Sequence, residues 1–218
     1  MVHAICERLG LRASPRGFRW DSRTFAVDVQ EFDFLLWSNY LNDRASLDDV
    51  NDYRAFHIIR DPRDILVSQY YSHRDSHPCA DWLSHEREVL RQLCFDEGIR
   101  YLICDSPLYR RTLAEIKSWD YSDERILEGR FETLTRRPFE QFKSICRFLE
   151  MDIADTDLLK ILCENSFERQ QARNPGHYRS GGMGQWRLLS PALLDLFNEL
   201  HGGVVERLGY STEGPREL

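Results

Sequence analysis

A short apolar run that ends in Arg-Asp-Pro constrains this chain more than any other feature of it. Ala55-Phe-His-Ile-Ile59 is followed at once by Arg60-Asp61-Pro62-Arg63-Asp64. Such a run suits a buried parallel strand, and a proline just beyond it suits the first position of a helix. Asp61 can cap that helix, and Asp64 falls in its first turn, where the helix dipole favours a carboxylate. Arg60 therefore emerges at the carboxyl end of a strand, the edge at which open α/β sheets bind ligands. Ser68 follows two turns after Asp61. Arg60 and Ser68 can thus converge on one anion, the first with a guanidinium fork and the second with a hydroxyl donor. By itself the segment fits a capped helix beside a surface arginine equally well.

The rest of the chain alternates strand and helix patterns. Helices are expected over 1–9 (stopped by Gly10), from Pro62, over 84–97 (stopped by Gly98), 107–118, 138–149 and 156–164. Strands are expected over 24–30, 32–37, 55–59 and 125–131. A last helix begins at Ser190-Pro191 and is expected to be interrupted at Gly202-Gly203. Strands alternating with helices imply an α/β fold with a parallel sheet flanked by helices. The 218 residues suit one domain, and 42% hydrophobic with 30% charged residues describes a globular chain. A net charge of −7 excludes a general nucleic-acid binder, which needs a basic surface, but leaves room for a small anionic ligand. No apolar stretch is long enough to span a membrane, and Met1–Gly10 lacks the shape of a signal peptide, so a cytoplasmic location is expected. The six cysteines form no CxxC pair and read as reduced, and no metal site is expected.

A second segment far along the chain is rich in glycine and arginine: Arg179-Ser180-Gly181-Gly182-Met183-Gly184-Gln185-Trp186-Arg187. Glycine lets backbone N–H groups approach a phosphate closely, and the two terminal arginines supply charge.

Taken together, these segments resemble the PAPS-dependent sulfotransferases (PAPS is 3′-phosphoadenosine 5′-phosphosulfate). Arg60 with Ser68 resembles that family's 3′-phosphate-binding strand and helix. Arg179, Gly181, Gly184 and Trp186 resemble its R-x-G-x-x-G-x-W-[KR] loop, which closes over the same nucleotide. Phe131-Glu132-Thr-Leu resembles the family's "Y-E-D-L" strand end, with Phe131 in place of tyrosine. Asn165-Ser166-Phe167 resembles the segment that contacts adenine. The resemblance implies a single sulfotransferase-like domain over residues 1–218 with a P-loop-NTPase-like fold. It also implies PAPS as co-substrate and PAP, the desulfated nucleotide, as product, without a metal. Arg60, Ser68, Phe167, Arg179, Ser180, Gly181 and Trp186 are the expected cofactor-binding residues.

Two departures stand out. The family opens with a strand and a P-K-[SA]-G-T-[TS]-W loop that cradles the 5′-phosphosulfate and carries a principal catalytic lysine. Here residues 1–9 resemble the helix that follows that loop, so the fold is expected to be N-terminally incomplete. Many members also place a histidine base about two dozen residues before the 3′-phosphate arginine, where this chain reads Phe34-Leu-Leu-Trp37-Ser38-Asn39-Tyr40. Asp33, Glu31 and His73 lie near, each with a solvated or capping role expected. His57 is expected as a satisfied core histidine and His177 as a surface loop residue, so no catalytic residue is assigned. The expected activity is sulfuryl transfer to a hydroxyl or amine of a small-molecule, glycan or lipid acceptor. The acceptor pocket is expected from residues 11–23, 40–52 and 73–85. The rival reading is an inactive relative that binds PAP or another anion, or serves as an interaction module. A P-loop kinase is disfavoured, because no G-x-x-x-x-G-K-[ST] occurs.

Overall fold

The computed structural model describes residues 1–14, 32–34, 53–78, 80–173 and 182–212. Their contacts group the chain into two compact units. The first takes Met1–Ile59 with Ser118–Arg169, and the second Arg60–Lys117 with Gln170–Leu218.

In the first unit, β1 (Ala55–Ile59) pairs in parallel with β2 (Ile126–Arg130), His57 opposite Glu128. The expected parallel sheet is therefore present, with two strands among the described residues. Every residue of β1 is half-buried, where full burial was expected. One face of the ladder, Phe56, Ile58 and Leu127, packs on a core built by three helices. These are α1 (Val2–Leu9), α7 (Pro138–Phe148) and α8 (Asp155–Glu164). Ile5, Phe142, Ile145, Cys146, Leu158 and Ile161 are its buried centre. The stop of α1 is as expected: Gly10 takes φ 69°, the left-handed conformation that glycine adopts most freely. The expected strand 24–30 lies outside the described residues. Of 32–37, residues 32–34 are described, and Phe34 makes an isolated parallel bridge to Ala13. Phe131 stands just beyond β2 as the first residue of a short helix, α6 (Phe131–Arg136).

In the second unit, α2 (Pro62–Tyr71) starts as the sequence demands: the Asp61 side chain accepts the Arg63 N–H, and Pro62 fills the first helical position. A π-helical turn, Ser72–Ser76, continues it. Two helices follow where one was expected over 84–97, namely α3 (Asp81–Gln92) and α4 (Phe95–Cys104). Gly98 is not the stop. It lies inside α4, where a Cβ would stand 2.5 Å from Cε2 of Tyr70, so glycine is there for close helix packing. The buried face of α3 is Leu83, Glu86, Arg87 and Leu90. Next comes α5 (Pro107–Ser118), as expected. A helix not foreseen, α9 (Phe167–Arg173), begins among residues of the first unit and ends among those of the second, in the polar stretch after residue 165. The final helix, α10 (Pro191–Arg207), runs unbroken through Gly202-Gly203. Its Leu193, Phe197 and Val204 join Leu66, Val67, Tyr70, Leu90, Leu102 and Tyr109 in the unit's core, and that packing outweighs the weak helix propensity of two glycines.

Candidate functional site

The site is built where α2 begins. Arg60 directly follows β1, and its side chain is 18% exposed. Its Nη2 donates to the Gly182 carbonyl at 3.1 Å and lies 3.8 Å from Oδ2 of Asp64. The two expected motifs thus meet, the first through Arg60 and the second through the glycine stretch. The Gly182 carbonyl also accepts from Nε2 of Gln185 at 3.0 Å.

Asp64 makes the second link. Its buried carboxylate accepts the Gly184 N–H at 2.7 Å through Oδ2 and the Trp186 N–H at 2.9 Å through Oδ1. Burial pushes this carboxyl up, and the two amide hydrogen bonds with the charge of Arg60 pull it down less strongly, so its pKa is raised overall. Gly184 permits the arrangement in two ways. Its φ is +72°, and a Cβ would lie 2.2 Å from Nη1 of Arg187. Residues Gln185–Leu188 then form one 3-10 turn.

Trp186 is held between two cations. The guanidinium carbon of Arg63 lies 4.6 Å from its ring centroid and that of Arg187 at 4.9 Å. Arg63, 1% exposed, pairs with Asp61 at 2.7 Å and donates to the carbonyls of Ser211 at 2.9 Å and Thr212 at 3.4 Å. Three arginines therefore surround the turn against two carboxylates, a local excess of positive charge in an acidic chain. Such an excess beside a helix N-terminus can hold an anion.

Of the expected site residues, Arg60 and Trp186 belong to this cluster. Ser68 stands two turns along α2 on its less buried strip with Ile65. Phe167 opens α9 and belongs to the other compact unit. Arg179, Ser180 and Gly181 lie outside the described residues, as do Glu31 and His177. Asp64 is the functional candidate that the sequence left unmarked. A glycine-rich turn whose amides need an acceptor is the signal that could have pointed to Asp64.

The candidate bases are engaged elsewhere. Asp33 binds Arg12 through both carboxylate oxygens, and the Arg12 hydrogen bonds lower its pKa to about 2. His57 Nδ1 meets Glu128 at 2.8 Å, and Trp119 Nε1 donates to the same carboxylate at 2.6 Å, the satisfied histidine expected. His73 Nδ1 contacts buried Glu86, which also accepts from Ser106. Among the described residues no group of three His, Cys, Asp or Glu side chains could hold a metal ion. Nor is any of their helices long and apolar enough to cross a membrane.

The sulfotransferase domain family matches residues 50–188. The chain belongs to that family. Two solved structures share its fold. Mouse sulfotransferase SULT7A1 complexed with PAP is 19% identical with a TM-score of 0.54, over 70% of this chain and 58% of that one. Retinol dehydratase in complex with androsterone and the inactive cofactor PAP is 15% identical with a TM-score of 0.51, over 83% of this chain and 55% of that one. This sulfotransferase-domain chain thus spans little more than half the length of either. No curated protein matches it by sequence.

Proposed function

We propose that this chain binds PAPS and PAP, and that it serves transfer of a sulfuryl group from PAPS to a hydroxyl or amine of an acceptor. The observation that carries the reading is the junction of Arg60 with the glycine turn. A guanidinium, a helix start and a glycine turn meet at one point in a chain of the sulfotransferase family. Arg60 would grip the 3′-phosphate together with Ser68 and with Arg179, Ser180 and Gly181. Trp186 would anchor the turn, and Phe167 would stack on adenine. The assignment treats residues 1–218 as one sulfotransferase-like domain.

In the reaction the acceptor oxygen or nitrogen bonds to sulfur as the bond from sulfur to the bridging phosphate oxygen breaks. PAP leaves, and the acceptor proton passes to a base. The chemistry parallels phosphoryl transfer, in which positioning and charge stabilisation carry most of the catalysis. On the acceptor side, the segment 73–85 contributes packed rings: those of His77 and Trp82 lie 5.1 Å apart, and buried His73 packs on both. This favours a hydroxylated acceptor with an apolar body, of small-molecule or lipid type. Such a protein would work in the cytoplasm.

Calorimetry with PAP and 5′-AMP tests the reading. A clear preference for PAP, which alone carries the 3′-phosphate, is expected. Equal affinity for the two would remove the 3′-phosphate from this site.

A further inference from the structure

Asp64 is buried in the first turn of α2, where the helix dipole favours a carboxylate but does not call for one that reaches a distant turn. The cap of α2 is Asp61, already in place, and the core of this unit is apolar and closed by other residues. Asp64 nonetheless spends both carboxylate oxygens on the backbone of a turn 120 residues away. Burial pushes its carboxyl up against the pull of those hydrogen bonds and of Arg60, yet the group is kept there. Groups retained on such terms cluster where a protein must hold something in place. The geometry says what is held. Asp64 ties Gly184 and Trp186, while Gly182 of the same turn accepts from Arg60. The carboxylate, the turn and the arginine form one closed circuit.

We propose that Asp64 is a positioning residue of the anion site, clasping the Gly182–Trp186 turn so that the turn and the Arg60 guanidinium are presented to the 3′-phosphate in one fixed arrangement. The inference rests on the nucleotide reading and deepens it. Asp64 does not touch the ligand in this role. It acts through the turn, and the order it imposes beforehand need not be imposed by the ligand on binding. An asparagine in its place would keep one acceptor oxygen but turn an amide donor toward the second N–H. A simple charge argument gives the opposite sign. A carboxylate 3.8 Å from Arg60 repels a phosphate, so its removal would tighten binding if charge were its only contribution.

The experiment combines calorimetry with residue-resolved amide exchange on the full chain. Asp64→Asn is expected to weaken PAP binding by about ten- to hundredfold and to leave 5′-AMP unchanged. The Gly184 and Trp186 amides are expected to exchange slowly in the wild-type chain, more slowly with PAP, and fast in the variant with or without PAP. Unchanged or tighter PAP binding by Asp64→Asn would overturn the inference alone. So would unprotected Gly184 and Trp186 amides in the wild type, a measurement that stands even if the variant does not fold. Failure of the wild-type chain to bind PAP would overturn the nucleotide reading, and this inference with it.

Discussion

Arg60 is the residue on which the proposed anion binding turns. Its head group is largely shielded from water, so a phosphate oxygen in front of it would accept a charge-assisted hydrogen bond in a medium of reduced dielectric. Arg60→Ala is therefore expected to weaken PAP binding by about 2–3 kcal/mol, measured by calorimetry, with the melting temperature little changed. Arg60→Lys keeps the charge but loses the fork and is expected to fall between the two. The neighbouring arginine behaves differently. Arg63 is buried against Asp61 and Trp186 and belongs to the scaffold. Both arginines are plain in the sequence, but only the fold separates the partly open Arg60 from the sealed Arg63. That distinction depends on Ser211 and Thr212, whose carbonyls lie some 150 residues away.

At the scale of elements, α2 and its neighbours are held by one buried polar knot. Glu86 on α3 accepts from His73 on the π-helical turn, from Ser106 at the start of α5, and from Gln69 on α2 at 3.4 Å. Burial pushes the Glu86 carboxyl up, but these bonds with the charge of His73 prevail and leave its pKa lowered. A depressed carboxyl stabilises the fold above its unfolded value of about 4.3 and loses that contribution as pH falls through the folded value. Glu86→Gln is thus expected to melt earlier than wild type at neutral pH, with the gap narrowing once the pH drops below about 4.3, as thermal melts across that range would record. Helix packing gives a second expectation. Gly98→Ala on α4 gains helix propensity but drives a methyl into the Tyr70 ring, and a net loss of about 1–2 kcal/mol is expected from denaturant titration. The same glycine explains why α3 and α4 were illegible as separate helices. In sequence a glycine after a periodic stretch reads as a stop, whereas here it is a contact that only the Tyr70 ring reveals. Gly202-Gly203 misled in the same direction, because tertiary burial of α10 outweighs propensity. By contrast β1, α2 and Gly10 were legible, because their signals are local: an apolar run, an Asp-Pro cap and a left-handed glycine. Asp64 was legible as a first-turn carboxylate, but not as a clasp, since its partners are remote in sequence.

For the molecule as a whole, a ligand bound only by the folded state raises its stability by mass action. At one hundred times its dissociation constant, PAP is expected to add about 2.7 kcal/mol, which for a chain of this size shifts the melting temperature by about 5–11 °C. A thermal-shift titration reads this directly, and no shift with PAP at millimolar concentration would count against the nucleotide reading. The acidic balance of the chain makes the site's own charge matter more: a net −7 repels a multiply charged nucleotide at long range, and the Arg60, Arg63 and Arg187 cluster opposes that locally. One feature of that cluster has a practical side. The guanidinium of Arg63, next to the helix cap, is satisfied in part by the Ser211 and Thr212 carbonyls. Trimming the chain back to Tyr210 would strip a sealed cation of two of its acceptors. The damage would surface three residues from Arg60, disguised as a defect in nucleotide affinity.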